Sequence, residues 1–76
     1  MTQQIPPILQ SGVTGTDVER LQRALSQLGY QVTMNGKFDE STETAVKKFQ
    51  QDHNLIVDGI VAQQTGMQLD IALAKS

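Results

Sequence analysis

The sequence predicts an all-α fold, a small three-helix bundle with Asx-Gly turns between the helices. Two observations carry this expectation. The stretch Asn35-Gly36-Lys37-Phe38-Asp39-Glu40-Ser41-Thr42 is echoed by Asp58-Gly59-Ile60-Val61-Ala62-Gln63-Gln64-Thr65. Each has an Asx-Gly turn, an apolar position just after it, and a threonine six residues beyond the glycine. Gly12 and Val18 repeat that six-residue offset more faintly, so three related turn-helix units around one core is the simplest architecture. The second observation is size. A chain of 76 residues buries only about 60% of its unfolded surface, so one compact core is all it can build.

The first eight residues read as an extended N-terminal arm, and 9–76 as the helical domain. Pro6-Pro7 favours polyproline II and forbids a helix there, while Ile8 and Leu9 can pack the end of the arm on the core. Ser11-Gly12-Val13-Thr14-Gly15 is turn chemistry. A first helix is expected over about 16–28, with Thr16 as N-cap and Glu19 completing a capping box. Val18, Leu21, Leu25 and Leu28 form its apolar stripe, and Gly29 supplies a left-handed stop.

Tyr30-Gln31-Val32-Thr33-Met34 alternates but is short, so it reads as a strand-like connector. After the Asn35-Gly36 turn, Asp39 is the expected N-cap of a second helix. Glu40 and Glu43 fall early in that helix and Lys47 and Lys48 late, as its dipole favours. Ala45, Val46 and Phe49 are its buried stripe, and Asn54 its left-handed C-cap. Leu55-Ile56-Val57 mirrors the first connector. A third helix is expected from about Gln63 to Ala74, apolar nearly all round and therefore largely buried.

Composition excludes several functions. The net charge is −2 and the six basic residues are scattered, which argues against a nucleic-acid face. No apolar run is long enough to span a membrane. With no cysteine and His53 as the sole histidine, a metal site would need unusual ligands, and no catalytic triad can be assembled. Asp39, Glu40 and Glu43 lie along one helix start rather than facing each other across a cleft, so a glycosidase pair is not made. No catalytic residue, metal or cofactor is expected. The N-terminus lacks the basic and apolar regions of a signal peptide, so export by another route, prior cleavage, or membership of a larger protein is expected.

Three runs then match a known pattern in order. They are Leu9-x-x-Gly12-x-x-Gly15-x-x-Val18-x-x-Leu21-Gln22-x-x-Leu25-x-x-x-Gly29-Tyr30, Gly36-x-Phe38-x-x-x-Thr42-x-x-Ala45-Val46-x-x-Phe49-Gln50, and Leu55-x-x-Asp58-Gly59-Ile60-Val61-x-x-x-Thr65-x-x-x-Leu69. From about residue 9 to 69 the chain resembles the peptidoglycan-binding domain family. That resemblance implies a three-helix module appended to cell-wall hydrolases, which anchors them to peptidoglycan and has no catalysis of its own. It places the chain at the cell envelope or outside the cell. Departures from the family pattern are Asp39 and Ala62 at glycine positions, Glu40 and Gln63 at proline positions, Asn54 at a glycine, and Gln10 where a basic residue is common.

Glycan recognition leans on aromatic faces, and this chain has three aromatic residues, of which Phe38 and Phe49 belong to the core pattern. Tyr30 alone is expected to keep a polar tip near solvent. The expected ligand is therefore the peptide stem, whose amides, carboxylates and free amine suit Tyr30, Asn35, Lys37, Asp39 and Asp58. The competing reading makes the last four ordinary turn residues. Gly36, Gly59, Thr42 and Thr65 likewise read first as turn and helix-start chemistry, and Gln22 and Gln50 as amides that satisfy loop backbone. The alternative function is a protein-interaction module on the same scaffold, which also resembles the helical pro-region of some secreted metalloproteases. It would use exposed Ile5, Ile8 or Ile71.

Overall fold

In the computed structural model the described residues are 8–75, and they form three helices. These are α1 (Thr16–Gln27), α2 (Glu40–Asp52) and α3 (Gln63–Lys75), and α1 packs against both of the others. The arm expected over 1–8, including Ile5, lies outside the described residues except for Ile8, which is exposed. One core joins all three elements: Leu9, Val18, Leu21, Leu25, Phe38, Ala45, Val46, Phe49, Val61 and Leu69.

The helix stops follow the sequence. Gly29 sits at φ 98°, with Gly29 N–H donating to Ser26 O (3.0 Å) and Tyr30 N–H to Leu25 O (2.9 Å). Asn54 repeats this Schellman geometry at φ 59°, with Leu55 N–H donating to Gln50 O at 2.8 Å. Asp39 caps α2 as expected, its carboxylate accepting from Thr42 N–H at 3.2 Å.

The start of α1 differs from the expectation. Gly15, not Thr16, is the N-cap residue, and no side chain caps the helix. Long-range backbone pairing fixes the entry instead. Thr14 bridges Lys37, and Gly15 N–H donates to Gly36 O at 2.9 Å. Gly15 adopts φ 125°, which a side chain would resist. Glu19 packs over Gly36 rather than closing a capping box.

The third helix is also less buried than expected. Only Thr65 and Leu69 are buried in it, while Met67 is 52% and Ile71 40% exposed. With α1 as its principal neighbour, α3 has one face to bury, and its remaining apolar residues face solvent.

A shift of 23 residues superposes the two turn-helix halves in sequence: Asn35 on Asp58, Gly36 on Gly59, Thr42 on Thr65. The structure keeps the equivalence. Phe38 and Val61 are both buried, as are Val46 and Leu69.

Candidate functional site

Each Asx-Gly turn is held by a glutamine from the helix before it. Gln22 on α1 donates through Nε2 to Asn35 Oδ1 (3.2 Å), Lys37 O (2.9 Å) and Thr42 Oγ1 (2.9 Å), and accepts from Gly36 N–H at 2.9 Å. Gln50 on α2 does the same for the second turn. Its Nε2 donates to Asp58 Oδ1 (2.9 Å), Ile60 O (3.0 Å) and Thr65 Oγ1 (3.1 Å), and its Oε1 accepts from Asp58 and Gly59 N–H (3.1 and 3.0 Å). Both amides are buried, so their hydrogen-bonding capacity goes into the fold.

Most of the expected site residues lie in these same turns. Asn35 Oδ1 accepts from Lys37 N–H at 3.0 Å, closing the Asx turn, and Asn35 Nδ2 reaches Asp39 Oδ2 at 3.4 Å. Asp58 Oδ1 accepts from Ile60 N–H at 2.9 Å in the same way. Asp39 is held below the usual carboxylate range chiefly by the Thr42 backbone N–H, and Asp58 by that of Ile60. Asn35, Lys37 and Asp39 thus share the first turn and Asp58 stands at its counterpart, with at least one side-chain oxygen of each Asx residue committed locally.

Tyr30 is placed differently. It lies on a groove of about 980 Å³ between the connector 29–33 and α2, lined also by Gln31, Thr33, Glu40, Ser41, Thr44 and Lys48. Two tethers set that groove. Tyr30 Oη donates to Asp52 Oδ2 at 2.6 Å near the end of α2, and Thr33 N–H donates to Ser41 Oγ at 3.4 Å near its start. The Tyr30 ring meets Phe49 edge-on at 6.0 Å, and Phe49 in turn stacks on His53 at 4.2 Å. Burial, then the Asp52 bond and charge, push the Tyr30 hydroxyl up to about 12.

The groove therefore gathers one of the five expected residues and leaves four in the turns. The polar lining residues not expected from the sequence are Gln31, Thr33, Glu40, Ser41, Thr44 and Lys48, of which Glu40 and Lys48 read there as helix-dipole partners alone. Their signal was the i, i+4, i+8 spacing of Glu40, Thr44 and Lys48, which sets three polar side chains along one face. A second groove of about 530 Å³ runs between α1 and α3 over Leu21, Ala24, Leu69 and Leu73, with Asp17, Arg20 and Asp70 beside it. Among the described residues no cluster of three or more potential metal ligands occurs, and no helix is long and apolar enough to cross a membrane.

Residues 14–69 match the family described as "Putative peptidoglycan binding domain". The carboxy-terminal processing protease CtpA of Bacillus subtilis is 40% identical over 65 residues, which are 86% of this chain and 14% of that protein. The spore cortex-lytic enzyme of Halalkalibacterium halodurans is 36% identical over 64 residues, 83% of this chain and 19% of that protein. The chain thus spans less than a fifth of the length of either relative. Among solved structures, the SleB N-terminal domain superposes with a TM-score of 0.84 at 34% identity, covering 87% of this chain and 92% of that one.

Proposed function

The chain belongs to the peptidoglycan-binding domain family, and from that premise we propose that it is a noncatalytic module holding a fused or associated protein at the bacterial cell wall, by contact with the peptide stem. Tethering of this kind raises local concentration without chemistry, so a shallow site of modest affinity suffices. The relatives support the role. The matched segment accompanies a protease in one and a cortex-lytic enzyme in the other, which suits a module that delivers a catalytic partner to the envelope.

The observation that carries the stem reading is the make-up of the groove beside α2. It offers the hydroxyls of Thr33, Ser41 and Thr44, the amide of Gln31, one carboxylate and one ammonium, with a single aromatic ring. Those groups pair with amides, amines and carboxylates. A long glycan would want stacked aromatic platforms, and both phenylalanines are buried at 2% exposure or less.

The test is retention of the folded protein on insoluble peptidoglycan sacculi. The expected result is retention that soluble stem peptides compete away and glycan fragments do not. Protein left in the supernatant overturns the reading. A second reading, contact with a neighbouring protein domain, is favoured by the exposed Ile8, Met67 and Ile71 and the apolar floor between α1 and α3.

A further inference from the structure

The groove beside α2 is electrically polarised along its length. Glu40 and Lys48 lie eight residues apart on one face of α2, a rise of about 12 Å. Thr44 stands midway, and Ser41 and Ala45 complete that wall. Lys47 is paired with Glu43 at 3.9 Å, whereas among the described residues neither Glu40 nor Lys48 forms an ion pair. Asp52, one turn beyond Lys48, has its Oδ2 taken by the Tyr30 hydroxyl and does not line the groove. The carboxylate thus marks the end tied by Thr33 and Ser41, and the ammonium lies towards the end tied by Tyr30 and Asp52.

The sequence repeat shows that a helix in this place forms without these charges. Shifted by 23 residues, Glu40 falls on Gln63, Thr44 on Met67 and Lys48 on Ile71, so the second half builds the same helix without either charge. Structure alone therefore does not require them.

Resting on the stem reading above, we propose that this groove recognises a short zwitterionic peptide in one direction, its free amine at Glu40 and its terminal carboxylate at Lys48. An extended peptide advances about 3.3–3.6 Å per residue, so about 12 Å spans three to four residues. In a stem tetrapeptide the free amine ends the diamino-acid side chain and the carboxylate ends the very next residue, so the extended side chain and one backbone residue together reach roughly that span. The Thr33, Ser41 and Thr44 hydroxyls then line the path of the stem backbone.

The experiment uses three synthetic stem tetrapeptides: one with free diamino-acid amine and free terminal carboxylate, its C-terminal amide, and its amine-acetylated form. Binding of each is titrated against the wild type and against Glu40→Gln and Lys48→Gln, both exposed positions, with folding checked by circular dichroism. Exposed ion pairs of this kind change affinity by about 1.4- to fivefold. The wild type should bind the zwitterion that much more tightly than either blocked peptide. Lys48→Gln should lose the discrimination against the amide alone, and Glu40→Gln that against the acetylated form alone. Wild type retained on sacculi but indifferent to both blocking groups, or either variant keeping its discrimination, overturns this inference and leaves wall binding standing. Wild type that fails to bind sacculi overturns both.

Discussion

Gln22 and Gln50 occupy the same structural place in the two halves of the domain, each sending its amide from one helix into the Asx-Gly turn that precedes the next. Four bonds from Gln22 and five from Gln50 make these side chains the cross-links between helix and turn. Nothing about them is free to meet a ligand.

Replacing Gln22 by leucine keeps the volume and strands the buried Gly36 N–H, while the Lys37 carbonyl keeps the Asp39 N–H at 2.9 Å. A stranded buried backbone group costs about 1–3 kcal/mol, so the variant should lose at least about 1 kcal/mol. The midpoint of urea unfolding reads this directly. Gln50→Leu should behave alike, since its partners are equivalent.

Two glycine substitutions should have opposite signs. Gly36 lies at φ +75°, and a Cβ there would sit 3.2 Å from the Glu19 side chain. Gly36→Ala should destabilise by about 1–2 kcal/mol. Gly66 is helical, and a Cβ added to it meets nothing within 4 Å. Gly66→Ala should therefore stabilise by about 0.5–1 kcal/mol. Thermal unfolding of both variants checks the pair.

The helices were largely legible in the sequence because their signals are local. The stripe Val18, Leu21, Leu25 and the stops at Gly29 and Asn54 act within a turn or two, and the observed bounds follow them. The entry to α1 was not legible, since it is set by Thr14 and Gly15 pairing with Lys37 and Gly36 far along the chain. The groove was hidden for the same reason. Its walls are joined by the Tyr30–Asp52 and Thr33–Ser41 bonds, which span 22 and eight residues, and by the Tyr30 ring on Phe49. Tyr30 is legible as the aromatic with a polar tip near solvent, whereas Glu40 and Lys48 read as dipole partners because the connector beside them comes from elsewhere in the chain.

Acid should weaken the fold through the turns. Asp39 and Asp58 have native pKa values below the ordinary one, chiefly because backbone N–H groups of Thr42 and Ile60 bond the charged form. A depressed native pKa gives stability that is present above the unfolded value of about 3.9 and fades as pH falls through the native value. Asp58→Asn retains the side-chain acceptor, as Asn35 does in the first turn. It should fold normally at pH 7 and show a flatter loss of stability below about pH 4 in unfolding curves.

Tyr30 should report the opposite limb. Its hydroxyl is raised to about 12, first by burial and then by Asp52. An absorbance titration should place its ionisation there and not near the ordinary value of about 10. The stability it lends is complete below the unfolded value and is lost as pH rises through the native one. Asp52→Asn should bring the midpoint down, because it removes the neighbouring charge.

The proposed function rests on a peptide stem lying between the connector 29–33 and α2. Amide shift mapping by NMR, with a soluble stem tetrapeptide added to the labelled protein, tests it most directly. Saturable shifts should concentrate on Tyr30, Gln31, Thr33, Ser41, Thr44 and Lys48, with the amides lining the α1–α3 groove unmoved. Shifts confined to the α1–α3 groove, or none at all at stem concentrations that displace the protein from sacculi, would contradict it.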